Sequence, residues 1–258
     1  MRFDAQTFAK LNLSLPVTGK RDNLHTLDMI MYPYEKYADR VSFYPVDGVD
    51  GFEINIVGGF DGLDEKRFLN FAKDKLNAVA QEFSVGGKLE IFKGIPLGAG
   101  LGGSSATVAC TVNAVKEYLL SKGQNTQLDT RFLLSLGSDV PYMIQGGACR
   151  VSDVGEILEP LSYEGRIDVE EIIAQGGSDS GKCYKTYDEI HEGDYDLQNV
   201  PASVNEALEV LRNDLFEPAC ALNPKIKSAY DELKSRGFDK VIMSGSGSTV
   251  FAIKGFVK

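Results

Sequence analysis

The chain has 258 residues, 43% of them apolar and 25% charged, with a formal net charge of −10 at pH 7. A chain of this size and composition buries one large core or two ordinary ones, and its acidic balance argues against a general nucleic-acid or anionic-membrane surface. The opening MRFDAQTFAK lacks a signal-peptide run and Cys110, Cys149, Cys183 and Cys220 show no metal or redox spacing, so a soluble cytoplasmic protein with reduced thiols is expected.

In chain order, LNLSL, DRVSFYPV and GFEINIV read as strands bounded by glycine and proline. A helix is predicted over roughly 65–83, where Phe68, Leu69, Phe71, Ala72, Leu76, Val79 and Ala80 recur at helical spacing. The strand GKLEIF follows, then PLGAGLGGSSATVA from Pro96 to Ala109, with a helix from about Ser105 to Leu120. A further helix surrounds Phe132 to Leu136, and ACRVSDV and GEILEPL read as strands after Gly146 and Gly147. The pattern turns helical again through VNEALEVLRN and PKIKSAYDELKSRG, and VIMSGSGSTVFAI closes the chain as strand, glycine turn and strand. An α+β chain of two parts, residues 1–152 and 153–258, is the economical description.

The stretch from Pro96 to Ala109 is the richest in chemistry. Gly98, Gly100, Gly102 and Gly103 permit the main chain to turn its N–H groups around an anion, and a helix opening near Ser105 adds its own unpaired N–H groups and positive dipole end. The plain alternative is a tight turn between strand and helix, for which a single glycine suffices. A dinucleotide-binding fingerprint fits poorly, because Pro96 separates strand from loop and the following acid, Glu117, falls inside the helical run. A second decoy, GGSDSGKC from Gly176 to Cys183, nearly spells a P-loop. Cys183 stands there in place of the hydroxyl that would hold Mg²⁺.

Five motifs in order carry a family resemblance: FAKLNLSL with GKRDNLHTL, PLGAGLGGSS, LGSDVPYMIQGGACRVSDVGEILEPL, NDLFEPAC, and MSGSGSTVFAI. Together they resemble the GHMP kinases, the superfamily of galactokinase, homoserine kinase and mevalonate kinase. The resemblance implies a two-domain α+β fold, with a ribosomal-S5-domain-2-like first half and a ferredoxin-like second half. It implies an ATP- and Mg²⁺-dependent kinase acting on a small-molecule alcohol. The branch it approaches most phosphorylates the 2-hydroxyl of 4-diphosphocytidyl-2-C-methyl-D-erythritol, in non-mevalonate isoprenoid synthesis.

Carried over residue by residue, the resemblance makes Asp139 the catalytic carboxylate and Lys10 its cationic partner. A carboxylate in reach of the acceptor hydroxyl takes its proton, and an ammonium offsets charge on the transferring group. Lys93, Pro96, Gly98, Gly100, Leu101, Gly102, Gly103, Ser104 and Ser105 are implied for ATP, with Ser104 or Ser105 also meeting the metal. Asn12, His25, Tyr32, Asp139 and Tyr184 are implied for the cytidyl substrate, with Tyr184 stacked on cytosine. Asp139 taken alone could be a helix cap, Tyr184 a core residue and Lys93 an exposed strand end.

The chain departs from the family in two places. Leu24 stands where a tyrosine usually precedes the histidine, and only Gly102 and Gly103 precede Ser104 where three glycines are usual. Two other readings therefore stay open: a kinase of the same ancestry acting on another small alcohol or sugar, and a nucleotide-binding homologue without turnover.

Overall fold

The computed structural model describes residues 1–257. The first part of the chain supplies β1 (Phe3–Ser14), β2 (Val17–Arg21), β3 (Leu24–Pro45), β4 (Gly51–Gly59), α1 (Glu65–Phe83) and β5 (Gly86–Lys93). Then come α2 (Gly103–Ser121), α3 (Thr130–Leu136), α4 (Val140–Gln145), β6 (Cys149–Asp153), β7 (Ile157–Pro160) and β8 (Arg166–Ile173). The chain closes with α5 (Ser180–His191), α6 (Val204–Val210), α7 (Phe216–Leu222), α8 (Pro224–Ser235), β9 (Val241–Met243) and β10 (Thr249–Val257). Helices and antiparallel strands are mixed along the chain, as an α+β fold requires. Among the described residues, no helix is long and apolar enough to cross a membrane.

Two compact units are present. One comprises Met1–Ala9, Tyr34–Leu97 and Gly102–Gly146; the other comprises Lys10–Pro33, Gly98–Leu101 and the described residues from Gly147 on. In the first, β5 pairs antiparallel with Arg40–Pro45 of β3 and parallel with β4. Asp64 caps α1 by accepting from the Arg67 N–H, and Ser84 ends it in the left-handed conformation. The predicted apolar face of α1 brings Phe68, Ala72, Leu76 and Val79 into a core with Phe43, Leu89 and Ile91. Helix α2 adds Val108, Val112 and Val115 to that core. It is buried on nearly every side along its first half, consistent with its run of small and apolar residues.

In the second unit, β2 pairs antiparallel with the start of β3, and β6 with Leu27–Met31 of β3. A separate sheet has the order β8-β10-β9, with both pairings antiparallel. Asn223 and Pro224 open α8, which buries Ile226, Ala229 and Leu233. Strand β8 has no counterpart among the predicted strands. Its sequence RIDVEEII is rich in charge because it lies at a sheet edge, paired among the described residues with β10 alone.

Candidate active site

The glycine loop runs from the end of β5 into α2, and its conformation follows from two close approaches. A methyl group on Gly100 would lie 2.1 Å from the Ser244 carbonyl oxygen, and Gly100 has φ +72°. A methyl group on Gly103 would lie 2.6 Å from the Pro96 carbonyl oxygen. Leu101, with its side chain fully buried, anchors the middle of the loop. Among the described residues, none accepts a hydrogen bond from the main-chain N–H groups of Gly98 through Ser104. Helix hydrogen bonding begins only beyond them, with Ser105 and Ala106 donating to the Gly102 carbonyl at 3.0 and 2.9 Å. Gly102, in the cap position, offers no side chain to the helix end. A run of unpaired donors leading into an uncapped 19-residue helix is suited to an anion rich in acceptors.

The outer carbonyls of this loop are strapped within the second unit. Thr249 N–H donates to Ala99 O at 3.0 Å, Ser178 N–H to Gly98 O at 2.9 Å and Ser244 Oγ to Gly100 O at 2.9 Å. The turn that includes Ser244 is held in its own right, with Asn213 Nδ2 donating to the carbonyls of Met243 and Gly245. Gly100→Ala is therefore expected to lower stability by roughly 2 kcal/mol or more, because its methyl meets main chain, which cannot swing aside, in a left-handed position. An unchanged chemical-denaturation midpoint would contradict the close approach.

Lys10 belongs to the same unit and is almost fully buried. Its N–H donates to Leu101 O at 3.1 Å, and its ammonium donates to Asn12 Oδ1. A methyl on Gly245 would lie 3.0 Å from that ammonium and 3.1 Å from Gly100 O, so Lys10 Nζ sits beside the loop. Asn12 is wholly buried, and its other amide atom donates to Met29 Sδ at 3.4 Å. Within this structure its carboxamide holds Lys10.

Asp139 occupies the cap position of α4, yet its side chain makes no capping hydrogen bond. That removes the helix-cap alternative for its carboxylate. In the same unit, a methyl on Gly137 would lie 3.1 Å from Ser105 Oγ, so the segment leading into Asp139 is close to the first turn of α2.

Lys93 differs from the expectation of an adenine-pocket residue. Its side chain and that of Asp39 are both 0% exposed. Its ammonium donates to Asp39 Oδ1 and Oδ2 at 2.8 and 2.7 Å and to Ile95 O at 2.6 Å, which uses all three donors. Asp39 also accepts from Ile95 N–H at 2.9 Å and Thr107 Oγ1 at 2.6 Å. Lys93 has no donor left for a nucleotide; it ties the strand before the loop to the helix after it.

His25 and Tyr184 come together as a stacked pair, with ring centroids 4.7 Å apart and planes inclined by 19°. His25 Nε2 lies 2.7 Å from Asp188 Oδ1, and Lys20 Nζ donates to Asp188 Oδ2 at 2.8 Å. Desolvation pushes the Asp188 carboxyl up, but the bonds from Lys20 and His25 outweigh it and hold it below the ordinary carboxylate value. Tyr184 and Asp188 are one turn apart on α5, which places both against β2 and the start of β3. Tyr32 OH donates to Gly165 O at 3.2 Å, and its ring meets Tyr163 edge-on at 5.7 Å.

Ser244 lies within the last family motif, where nothing sets it apart from its small neighbours, and Asp188 lies on a polar helix face without any sequence signal. The near-P-loop at 176–183 is not a vacant phosphate site. Asp179 fills the end of α5 by accepting from the Lys182 N–H at 3.0 Å.

Residues 68–155 match the model of the GHMP kinases N terminal domain, and residues 187–254 match that of the GHMP kinases C terminal domain. The chain is 31% identical over 256 residues to a 4-diphosphocytidyl-2-C-methyl-D-erythritol kinase of Desulfitobacterium hafniense (strain Y51), across 95% of this chain and 85% of the relative. Its fold is similar to a crystal structure of 4-(cytidine 5'-diphospho)-2C-methyl-D-erythritol kinase, with TM-score 0.63 and 26% identity, covering 97% of this chain and 89% of the other. It also shares its fold with mevalonate kinase of L. major, with TM-score 0.70 and 13% identity, covering 98% and 87% of the two chains. From its loop, its carboxylate and these relatives together, the chain belongs to the GHMP kinases.

Proposed function

We propose that this chain transfers the γ-phosphate of ATP to the 2-hydroxyl of 4-diphosphocytidyl-2-C-methyl-D-erythritol, as a cytoplasmic enzyme of non-mevalonate isoprenoid synthesis. Residues 1–152 and 153–258 would form the family's N- and C-terminal domains. The observation that carries the kinase reading is the run of unpaired N–H groups from Gly98 to Ser104 at the start of α2. The curated and solved relatives that bear this enzyme's name support the choice of acceptor.

The chain's own residues divide the work. Loop N–H groups hold the phosphates and set their direction. Asp139 takes the proton of the acceptor hydroxyl as its oxygen attacks phosphorus, and Lys10 offsets the charge that gathers on the transferring group. Asn12 keeps the Lys10 ammonium in place. The hydroxyl of Ser104 or Ser105 at the first turn of α2 suits a hard cation, and Mg²⁺ bound there with the nucleotide would neutralise phosphate charge. Among the described residues no His, Cys, Asp and Glu cluster could hold a metal by itself.

His25 and Tyr184 would receive cytosine, with Tyr32 adding aromatic surface. Leu24, 60% exposed where the family usually has tyrosine, favours a second reading in which the acceptor is another small alcohol. Calorimetry with CDP separates the two. For the cytidyl substrate, CDP binds saturably, and Tyr184→Ala weakens it about tenfold while leaving KM for ATP unchanged, since one lost ring stack is worth on the order of 1 kcal/mol. No CDP binding by a protein that still binds ATP would select the second reading.

A further inference from the structure

Helix α1 contributes a cation that the family motifs do not include. Lys75 lies in the middle of α1, half-buried, and no carboxylate among the described residues pairs with it. Its ammonium lies 4.6 Å from the centre of the Phe71 ring, one helical turn earlier. A methyl on Gly137 would lie 3.7 Å from Lys75 Nζ and 3.1 Å from Ser105 Oγ. The lysine tip, a hydroxyl in the first turn of α2 and the backbone just before Asp139 therefore converge on one small volume within one unit.

That arrangement is unfavourable in the protein alone. Burial with no opposing charge pulls the Lys75 pKa below the usual lysine value. The N-terminus of α2 carries positive partial charge, so ammonium and helix end repel each other. A lysine stem is long enough to carry its charge to water, and stacking on the exposed Phe71 ring does not require the tip to be buried. Two positive features held together become favourable when an anion lies between them.

We propose that Lys75 binds a phosphate oxygen of the nucleotide, as a further cation of the phosphoryl-transfer site. The proposal rests on the reading of the glycine loop as the phosphate site. The ammonium donates to the phosphate chain and adds a full charge to the partial charges of the loop N–H groups. It forms no bond with the acceptor alcohol.

The test is calorimetric titration of adenosine, ADP and ATP into wild-type protein, Lys75→Met and Lys75→Arg. Lys75→Met keeps the apolar stem and removes an uncompensated charge. It is expected to weaken ADP and ATP about tenfold, the scale of one charge-assisted hydrogen bond, and to leave adenosine unchanged. Lys75→Arg is expected to bind ATP within about threefold of wild type, because the charge remains. Wild-type ATP affinity in Lys75→Met overturns the proposal and leaves the loop reading intact. Equal losses for adenosine and ATP also overturn it, by showing a change in local structure instead of a lost phosphate contact. A wild-type protein that binds adenosine as tightly as ATP would instead overturn the loop reading.

Discussion

Asp139→Asn is expected to lower kcat by about 100-fold or more while leaving ATP affinity close to wild type. Asparagine retains the size and polarity of the side chain but cannot take a proton. Because the Asp139 side chain makes no cap bond to α4, the substitution takes no cap from that helix. Lys10→Ala should also depress kcat. If the two residues serve one transition state, the double variant will fall little below the worse single one. A near-wild-type kcat in Asp139→Asn would remove Asp139 from the mechanism.

The second large effect concerns stability. Asp39→Ala is expected to cost about 3–5 kcal/mol, read as a shift in the denaturation midpoint, because it leaves the Lys93 ammonium buried without its partner. Four donors converge on this carboxylate: two contacts from Lys93, one from the Ile95 N–H and one from Thr107 Oγ1. Removing both charges, as Asp39→Leu with Lys93→Met, should recover much of the loss, since an apolar pair of similar volume avoids the uncompensated charge. An unchanged midpoint in Asp39→Ala would mean that the pair contributes nothing. Because Ile95 precedes the glycine loop and Thr107 follows it, the folded fraction of Asp39→Ala should also bind nucleotide less well.

What the sequence made legible depended on whether the cause was local. Helix α1 was readable in full, because its apolar face repeats at helical spacing and caps bound it at both ends. Helix α2 begins at Gly103 instead of near Ser105, because Gly102 turns left-handed and takes the cap position. Only fragments of β3 were visible, since Pro33 and the charged stretch after it interrupt an otherwise continuous 22-residue strand. In the candidate site, the glycine loop declared itself through composition. The fates of Lys93 and Lys75 did not, because both look like ordinary exposed lysines. One is neutralised by a carboxylate 54 residues away, and the other faces a helix end formed by a different segment. Asp139 and the His25 and Tyr184 pair were reachable through resemblance alone, as their types and spacing are unremarkable.

The strap across the glycine loop also bears on how the protein is made. Ala99 and Gly100 find their partners in Thr249 and Ser244, within the last stretch of the chain. Domains tend to fold in the order in which they leave the ribosome, yet here an early segment waits on a late one. Until Ser244 and Thr249 have emerged, the loop has no template for its bend, and nucleotide has no formed cradle to stabilise. Ligand-dependent protection against proteolysis would thus mark chains that include Ser244 and Thr249 and pass over those that stop short of them.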